Sequence, residues 1–207
     1  YIESIVELTH TLCDEEEICS DVSESIQSSL GSGMTVKRKG ETYILTAGHV
    51  CVPQAYDQNL LMVSFIGTLS NHITGQGYFG NKSKLEILVV DIERDVCILK
   101  AQDPWISPGL KLARHLPRQG SEVYTISAPY GVFYPGMVLA FDGYLAGIDG
   151  DGDIIVSLAT RPGTSGSAIL NKRGEIIGII HSAFRMMESI GIGTPVDVFY
   201  PLFEIME

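Results

Sequence analysis

The stretch RPGTSGSAIL, residues 161–170, sets Ser165 between two glycines and follows it at once with an apolar run. Glycines and a proline favour turns, and the apolar run has the length of a strand. Ser165 is therefore either a nucleophile on a strained loop or an ordinary turn serine before a strand. A serine nucleophile also needs a base and an acid that orients the base. Residues elsewhere in the chain therefore have to decide between these two interpretations of Ser165.

Composition indicates a globular protein and excludes some classes of partner. The chain has 207 residues, of which 45% are hydrophobic, and a formal net charge of −11. The negative charge argues against nucleic acid and anionic lipid as partners. No apolar run approaches the roughly 20 residues that span a bilayer, so we expect no membrane insertion within this chain. The chain begins at Tyr1, which leaves localisation open.

The four cysteines do not have the spacing of a zinc site. Cys97 lies in an apolar run and is interpreted as a small buried hydrophobe, while Cys51 is left unassigned. Cys13 and Cys19 flank the acidic run DEEE, and either a short disulfide loop or two free thiols fits them.

The run DGDGD, residues 149–153, offers carboxylates at alternate positions, as calcium loops do. It lacks the loop glycine and glutamate of such a site, because Ile154 and Thr160 occupy those positions. With strand-like runs on both sides, we interpret it as a hairpin turn and predict no metal site.

Local patterns divide the chain into a short N-terminal segment and a β-rich remainder. Ile2, Ile5, Val6 and Leu12 lie near helical spacing, which predicts a short helical N-terminal segment over residues 1–30. From Gly33 onward, strand-like runs recur every 8 to 12 residues or so between turn residues, a spacing typical of a sandwich or barrel. The Pro- and Gly-rich segment 106–120 is interpreted as a linker.

His49 and Asp95 are the candidates for base and orienting acid. His49 follows the apolar run YILTAG, so it lies at the end of a predicted strand. Asp95 precedes the apolar run VCIL, and a carboxylate that enters a core there needs a partner. Taken singly, His49 is more simply structural, and Asp95 is more simply a cap or turn residue.

Gly163, Thr164 and Ser165 are the candidate oxyanion hole. With a glycine two residues before the serine, the amides of 163 and 165 can converge on one point. Ser167 stands where the α/β-hydrolase elbow requires glycine, so that motif is absent. The chain order His49, Asp95, Ser165 is instead that of chymotrypsin.

Several blocks of the chain resemble chymotrypsin-fold serine proteases, most closely the HtrA/Deg type. The matching blocks are LGSGMTVKRKGETYILTAGHV, DIERDVCILK, RPGTSGSAILNKRGEIIGII and GIGTPVDVFYPLFEIM. The resemblance covers about residues 30–205. It implies an all-β fold of two six-stranded antiparallel barrels with the active site in the cleft between them. The implied domains are an N-terminal extension (1–30), a first barrel (31–112) and a second barrel (113–207).

The resemblance also implies where a substrate side chain binds, in a pocket lined by three stretches. Its residues are expected to be Ala159, Thr160, Arg161, Ile180, His181, Ser182, Ala183 and Gly193. Ala159 stands where trypsin-like enzymes carry an aspartate, so we expect cleavage after small or medium apolar residues.

His181 leaves a second specificity open. Glutamyl endopeptidases use a histidine in this strand, but one residue earlier. The offset turns His181 away from the pocket unless a bulge restores it. Cleavage after Glu or Gln therefore remains an alternative.

The resemblance implies a serine endopeptidase with His49, Asp95 and Ser165 as triad, protein or peptide substrates and no cofactor. The alternatives are a silent peptide-binding module and an enzyme whose oxyanion hole forms only on activation. HtrA relatives are commonly trimeric through N-terminal segments, and this chain departs there, so a homo-oligomer stays an open expectation.

Overall fold

The structure is a computed structural model that describes residues 2–13, 19–52, 66–103, 107, 109–184 and 187–206. These residues form a seven-stranded sheet, a closed six-stranded barrel and two short α-helices. In chain order the elements are β1 (Ile2–Cys13), β2 (Cys19–Gly31), β3 (Met34–Arg38), β4 (Glu41–Ala47), α1 (Gly48–Cys51), β5 (Ile66–Gln76), β6 (Lys82–Asp91), β7 (Val96–Ala101), β8 (Glu122–Ser127), β9 (Leu139–Ile148), β10 (Ile154–Val156), β11 (Ala168–Leu170), β12 (Ile176–Phe184), β13 (Met187–Pro195) and α2 (Phe199–Ile205). The expected all-β, chymotrypsin-like architecture is thus confirmed.

The first unit is a sheet in the order β2-β1-β5-β6-β7-β4-β3. A tight two-residue hairpin joins β3 to β4. Arg38 pairs with Glu41, and Lys39 and Gly40 between them both have positive φ, which is the geometry of a type I′ turn.

The predicted N-terminal helix is wrong. Residues 2–13 and 19–31 form the antiparallel strands β1 and β2, and β1 also pairs with β5. The segment therefore adds two strands to the first unit, which has seven strands in the described residues instead of six. Alternation in IESIVELTHTL is compatible with a strand, and its β-branched residues favour one. Because β1 pairs with β2 on one edge and with β5 on the other, this segment forms a strand and not a helix.

The second unit is a closed antiparallel barrel in the order β10-β13-β12-β11-β8-β9. Its interior is filled by aliphatic side chains, among them the fully buried Val123, Ile154, Ile169 and Ile177. Residues 149–153 form the β9–β10 turn, as expected, with the Asp149 carboxylate accepting the amides of Asp151 and Asp153.

A hydrophobic cluster joins the two units. Leu45 and Ile98 of the sheet pack in one cluster with Ile179 of the barrel and Phe199 and Phe203 of α2. The connecting segment follows the same path, since Leu110 bridges to Val36 in the sheet and Leu112 to Ile176 in the barrel. The predicted domain bounds stay a prediction, and this packing fixes the two units against each other.

Cys97 is buried as expected, but it is not a free hydrophobe, because it forms a disulfide with Cys51. Cys13 pairs with Cys19 in the β1–β2 register, and the acidic residues 14–18 between them lie outside the described residues. The two alternatives for this pair, a disulfide or two free thiols, both stay open. None of the helices among the described residues is long and apolar enough to cross a membrane.

Candidate active site

His49 and Asp95 are joined by two hydrogen bonds. His49 lies in α1, the single turn that follows β4, and Asp95 lies in the tight turn between β6 and β7. One Asp95 carboxylate oxygen accepts the His49 backbone N–H at 2.7 Å, and the other lies 2.7 Å from His49 Nδ1. This carboxylate fixes the imidazole orientation through Nδ1, so Nε2 is the ring nitrogen that can act as a general base.

Several backbone features bring the pair together. Asp95 has a φ of 50°, a left-handed conformation that Asp tolerates better than most residues. Gly48 lies against it, because a Cβ there would come within 2.9 Å of Asp95 Oδ1. The Cys51–Cys97 disulfide lies two residues beyond each partner, so it ties α1 to β7 beside the pair.

The Asp95 carboxylate is stabilised in its ionised form. Burial by itself raises the pKa of the Asp95 carboxyl, but the hydrogen bonds from His49 and the charges of His49 and His181 outweigh it. The net effect lowers the pKa below its ordinary value of 3.8. Asp95 is therefore an anion over the neutral pH range in which an imidazole needs orienting.

Ser165 lies in a loop that is bound to the first sheet. The Ser165 carbonyl accepts the Ser32 amide at 2.8 Å, and Gly166 has no room for a side chain. A Cβ on Gly166 would lie 2.1 Å from Ser32 O and 2.9 Å from the Ala47 amide nitrogen. Because Ala47 precedes His49 by two residues, this contact places the serine loop beside the histidine turn.

The residues before Ser165, which are the candidate oxyanion hole, form a tight turn. The Thr164 amide donates to Arg161 O at 2.9 Å, and Gly163 has a φ of 91°, which are the marks of a type II turn. The Pro162 carbonyl accepts the Tyr130 amide at 2.6 Å. In a trans peptide the next N–H points the opposite way, so the Gly163 amide faces away from Tyr130. Within the described residues, the amides of Gly163 and Ser165 have no acceptor.

Ser32 supports this turn, although the sequence analysis did not single it out. It is 4% exposed, its Oγ donates to Gly163 O at 2.8 Å, and the same Oγ accepts the Ala128 amide at 3.0 Å. Its carbonyl accepts the Thr46 hydroxyl at 2.8 Å. The only local signal was the GSG of residues 31–33, since its partners lie far away in sequence.

The expected pocket residues lie in three places in the second barrel: after β10, on β12 and on β13. Ala159, Thr160 and Arg161 follow β10, and the Thr160 amide donates to Glu188 O of β13 at 2.8 Å. Gly191 lies opposite Thr160, because a Cβ on Gly191 would come within 2.6 Å of Thr160 Oγ1. Gly193, the residue of β13 that was expected to line the pocket, lies where a Cβ would meet the Ile179 carbonyl and the core side chain of Ile169.

Four further expected pocket residues lie on β12. Ile180 is fully buried in the barrel core, Ser182 is half-buried and Ala183 is exposed. Ile180 pairs with Gly193 while Ser182 pairs with Ile192, so His181 occupies a β-bulge. The bulge considered above is therefore present, but the His181 ring lies next to Asp95 and Asp153, 4.0 Å and 3.2 Å away.

Comparison with known proteins identifies the class to which this fold and site belong. The model of the trypsin-like peptidase domain matches residues 31–179, and the chain belongs to that family. This match, with the relatives below, confirms the resemblance that the sequence blocks carried.

The relatives include HtrA-like proteins. Serine proteases described as HtrA-like, from Staphylococcus aureus strains USA300 and NCTC 8325, are 24% identical over the whole chain. The chain spans 27% of the length of these relatives. The serine endoprotease of Yersinia pestis has a similar fold, with a TM-score of 0.65, 20% identity, and coverage of 98% of this chain and 62% of that one.

Proposed function

We propose that this chain is a serine endopeptidase that hydrolyses peptide bonds through an acyl-enzyme. Ser165 Oγ attacks the peptide carbonyl, and His49 accepts its proton and later delivers it to the leaving amine. Asp95 orients the imidazole and stabilises its charged form, and the amides of Gly163 and Ser165 bind the oxyanion. Water then hydrolyses the ester with His49 as base. Family membership supports the reaction class, and no cofactor takes part in it.

The paired hydrogen bonds of Asp95 to His49 are the observation that carries the proposal. A carboxylate that binds both the backbone N–H and Nδ1 of one histidine leaves that ring a single orientation. The orientation of the Pro162 carbonyl toward Tyr130 supports an active enzyme over a silent binding module or an unformed hole. A carbonyl turned the other way would occupy the place of the oxyanion.

We further propose that peptide binds along β12 as an added strand. β12 pairs with β11 up to Ile179, and from Ser182 to Phe184 the described pairing is with β13 alone. The edge of Ser182–Phe184 that faces away from β13 therefore offers backbone N–H and C=O groups to an extended substrate.

An uncharged, small or medium side chain suits the pocket beside Thr160 and Gly191. The neighbouring charge, Arg161, is neutralised at the rim by Glu188 Oε2 at 2.8 Å and also donates to the Thr160 carbonyl. Apolar specificity is therefore the favoured proposal.

The test is intact-mass analysis after incubation with a fluorophosphonate, comparing the parent with Ser165→Ala. We expect one adduct on the parent and none on the variant. A folded parent without an adduct would contradict an assembled site and favour the silent or activation-dependent module. A peptide library then tests specificity, and cleavage clustered after Glu, Gln, Lys or Arg would overturn the apolar assignment.

A further inference from the structure

A second histidine lies behind the candidate triad. The ring of His181, 16% exposed, places Nε2 at 3.2 Å from Asp153 Oδ2 and Nδ1 at 4.0 Å from Asp95 Oδ2. That Asp95 oxygen is the one that lies 2.7 Å from His49 Nδ1. The two imidazoles thus face the same carboxylate oxygen from different elements, α1 and β12.

Asp153 is held firmly enough to anchor His181. Its amide donates to Asp149 Oδ1 at 2.9 Å within the β9–β10 turn. Its second carboxylate oxygen lies 3.3 Å from the guanidinium of Arg94, the residue directly before Asp95. The Arg94 carbonyl in turn accepts the Thr194 hydroxyl at 2.6 Å. These contacts run from His181, beside Asp95, through Asp153 to Arg94, the residue before Asp95. They therefore join the β6–β7 turn to the second barrel.

We infer that His181 is a positioning residue for Asp95; this inference rests on the proposed function. Anchored at Nε2 by Asp153, the ring limits the rotation of the Asp95 side chain and so keeps its two oxygens on His49. The β-bulge at His181 changes the side-chain direction at this position of β12, and the ring lies beside Asp95 and Asp153. The inference assigns Asp153 and Arg94 a supporting role in the same network.

Two carboxylates face the His181 ring from different elements. They are Asp95 from the β6–β7 turn and Asp153 from the β9–β10 turn, with Arg94 beyond Asp153 and His49 beyond Asp95. The ring therefore fills the space between the carboxylate that contacts His49 and the carboxylate that holds the ring itself.

The test compares His181→Gln and His181→Asn with the parent and with His115→Gln, the same change at an exposed histidine. We expect kcat to fall about tenfold in the His181 variants, since small displacements of a catalytic group are costly. We expect KM to stay within about twofold and the residue preference to be unchanged.

A measurement without catalysis separates the two proposals. In the inactive Ser165→Ala protein, ¹⁵N resonances of the His181 ring should shift on Asp153→Asn and again on Asp95→Asn, while those of His115 stay in place. Unchanged His181 resonances would overturn the inference, even if the parent proved inactive. A changed preference for Glu or Gln in the His181 variants, with kcat on the preferred apolar peptides retained, would overturn it as well, in favour of a substrate-reading role. If only the parent's fluorophosphonate reaction fails, the proposed function falls and the His181 contact stands.

Discussion

The backbone amide of Tyr130 donates a 2.6 Å hydrogen bond to the carbonyl oxygen of Pro162. This contact, between residues in loops of the second barrel, turns the peptide before Gly163 so that its N–H faces away. Tyr130 has a φ of 53°, an unusual conformation for a residue with a bulky side chain. Backbone strain at a contact that orients a candidate oxyanion hole suggests that the conformation is kept for its effect on the site.

We expect Tyr130→Pro to abolish most of the reactivity of Ser165. Proline has no N–H and fixes φ near −65°, so it removes both the donor and its conformation. Labelling by fluorophosphonate should slow by about 10² to 10³, the range for loss of an oxyanion donor. Tyr130→Gly is the matched control, because glycine keeps the amide and tolerates positive φ. Equal loss in both variants would assign the effect to the tyrosine side chain instead.

Local sequence patterns were sufficient to predict a sandwich or barrel of strands from Gly33 onward, and the six-stranded barrel itself was implied by the family resemblance. The two-residue turn at Lys39 and Gly40 and the strand-length runs each act over a few residues, so they can be recognised from a single segment. The candidate site residues were proposed from their order along the chain and from the apolar runs beside them, and their catalytic roles stay predictions. The structure places Asp95 within hydrogen-bond distance of His49.

The N-terminal strands could not be predicted in the same way. The spacing of apolar residues in IESIVELTHTL is compatible with both periods, and the deciding factor is pairing with β5, some 60 residues later. The disulfide partner of Cys97 was hidden for a similar reason, since Cys51 lies 46 residues away. Ser32 makes its contacts with Ala128 and Gly163 over 96 and 131 residues. No local pattern carries such information.

Ser32→Ala should weaken the candidate oxyanion hole and the fold together. It leaves the buried Ala128 amide and one buried carbonyl, that of Gly163, without the partner they share. Each unsatisfied group costs about 1 to 3 kcal/mol. We expect slower labelling and a lower unfolding free energy by denaturant titration. Ser83→Ala deletes another buried serine hydroxyl that binds the Lys84 carbonyl and the Asp103 amide, so it should reduce stability with labelling retained. Slower labelling in both would show a general effect of stability.

Removing the Cys51–Cys97 disulfide should reduce stability and catalytic efficiency. The crosslink closes a loop of 46 residues, for which chain entropy gives about 4 kcal/mol. Cys51→Ala with Cys97→Ala should therefore lower the melting temperature. Below that temperature, labelling of Ser165 should also slow, since α1 is no longer tied to β7 beside His49 and Asp95. A double variant that labels at the parent's rate would show that packing alone positions the pair.

Asp95 should make stability fall in acid. Its pKa is lower in the folded chain than its ordinary value of 3.8, so its contribution is present above that value and lost as pH falls through the folded pKa. Asp95→Asn should lower the unfolding free energy near neutral pH and flatten its decline below about pH 4. In the same variant kcat should drop by roughly 10⁴, because the imidazole loses its orienting acceptor. An unchanged acid decline would contradict the lowered pKa.

Gly191 and Thr160 should set the size of the pocket together. A Cβ on Gly191 would lie 2.6 Å from Thr160 Oγ1 and 3.3 Å from Val156 Cγ2. Thr160 is buried and stiff at its β-carbon, so it has little freedom to move aside. We expect Gly191→Ala to reduce kcat/KM about 10- to 100-fold on peptides with leucine before the scissile bond, and far less on those with alanine.

Thr160→Ala in the same chain removes the obstructing hydroxyl, so the double variant should regain activity on the leucine peptides. Such rescue is the mark of two residues that share one space, and a double-mutant cycle measures it directly. Losses that add without rescue, or that fall equally on both peptides, would mean that these two residues do not line the pocket. The substrate side chain would then have to bind elsewhere on the barrel, and the open edge of β12 would have to be reassigned with it.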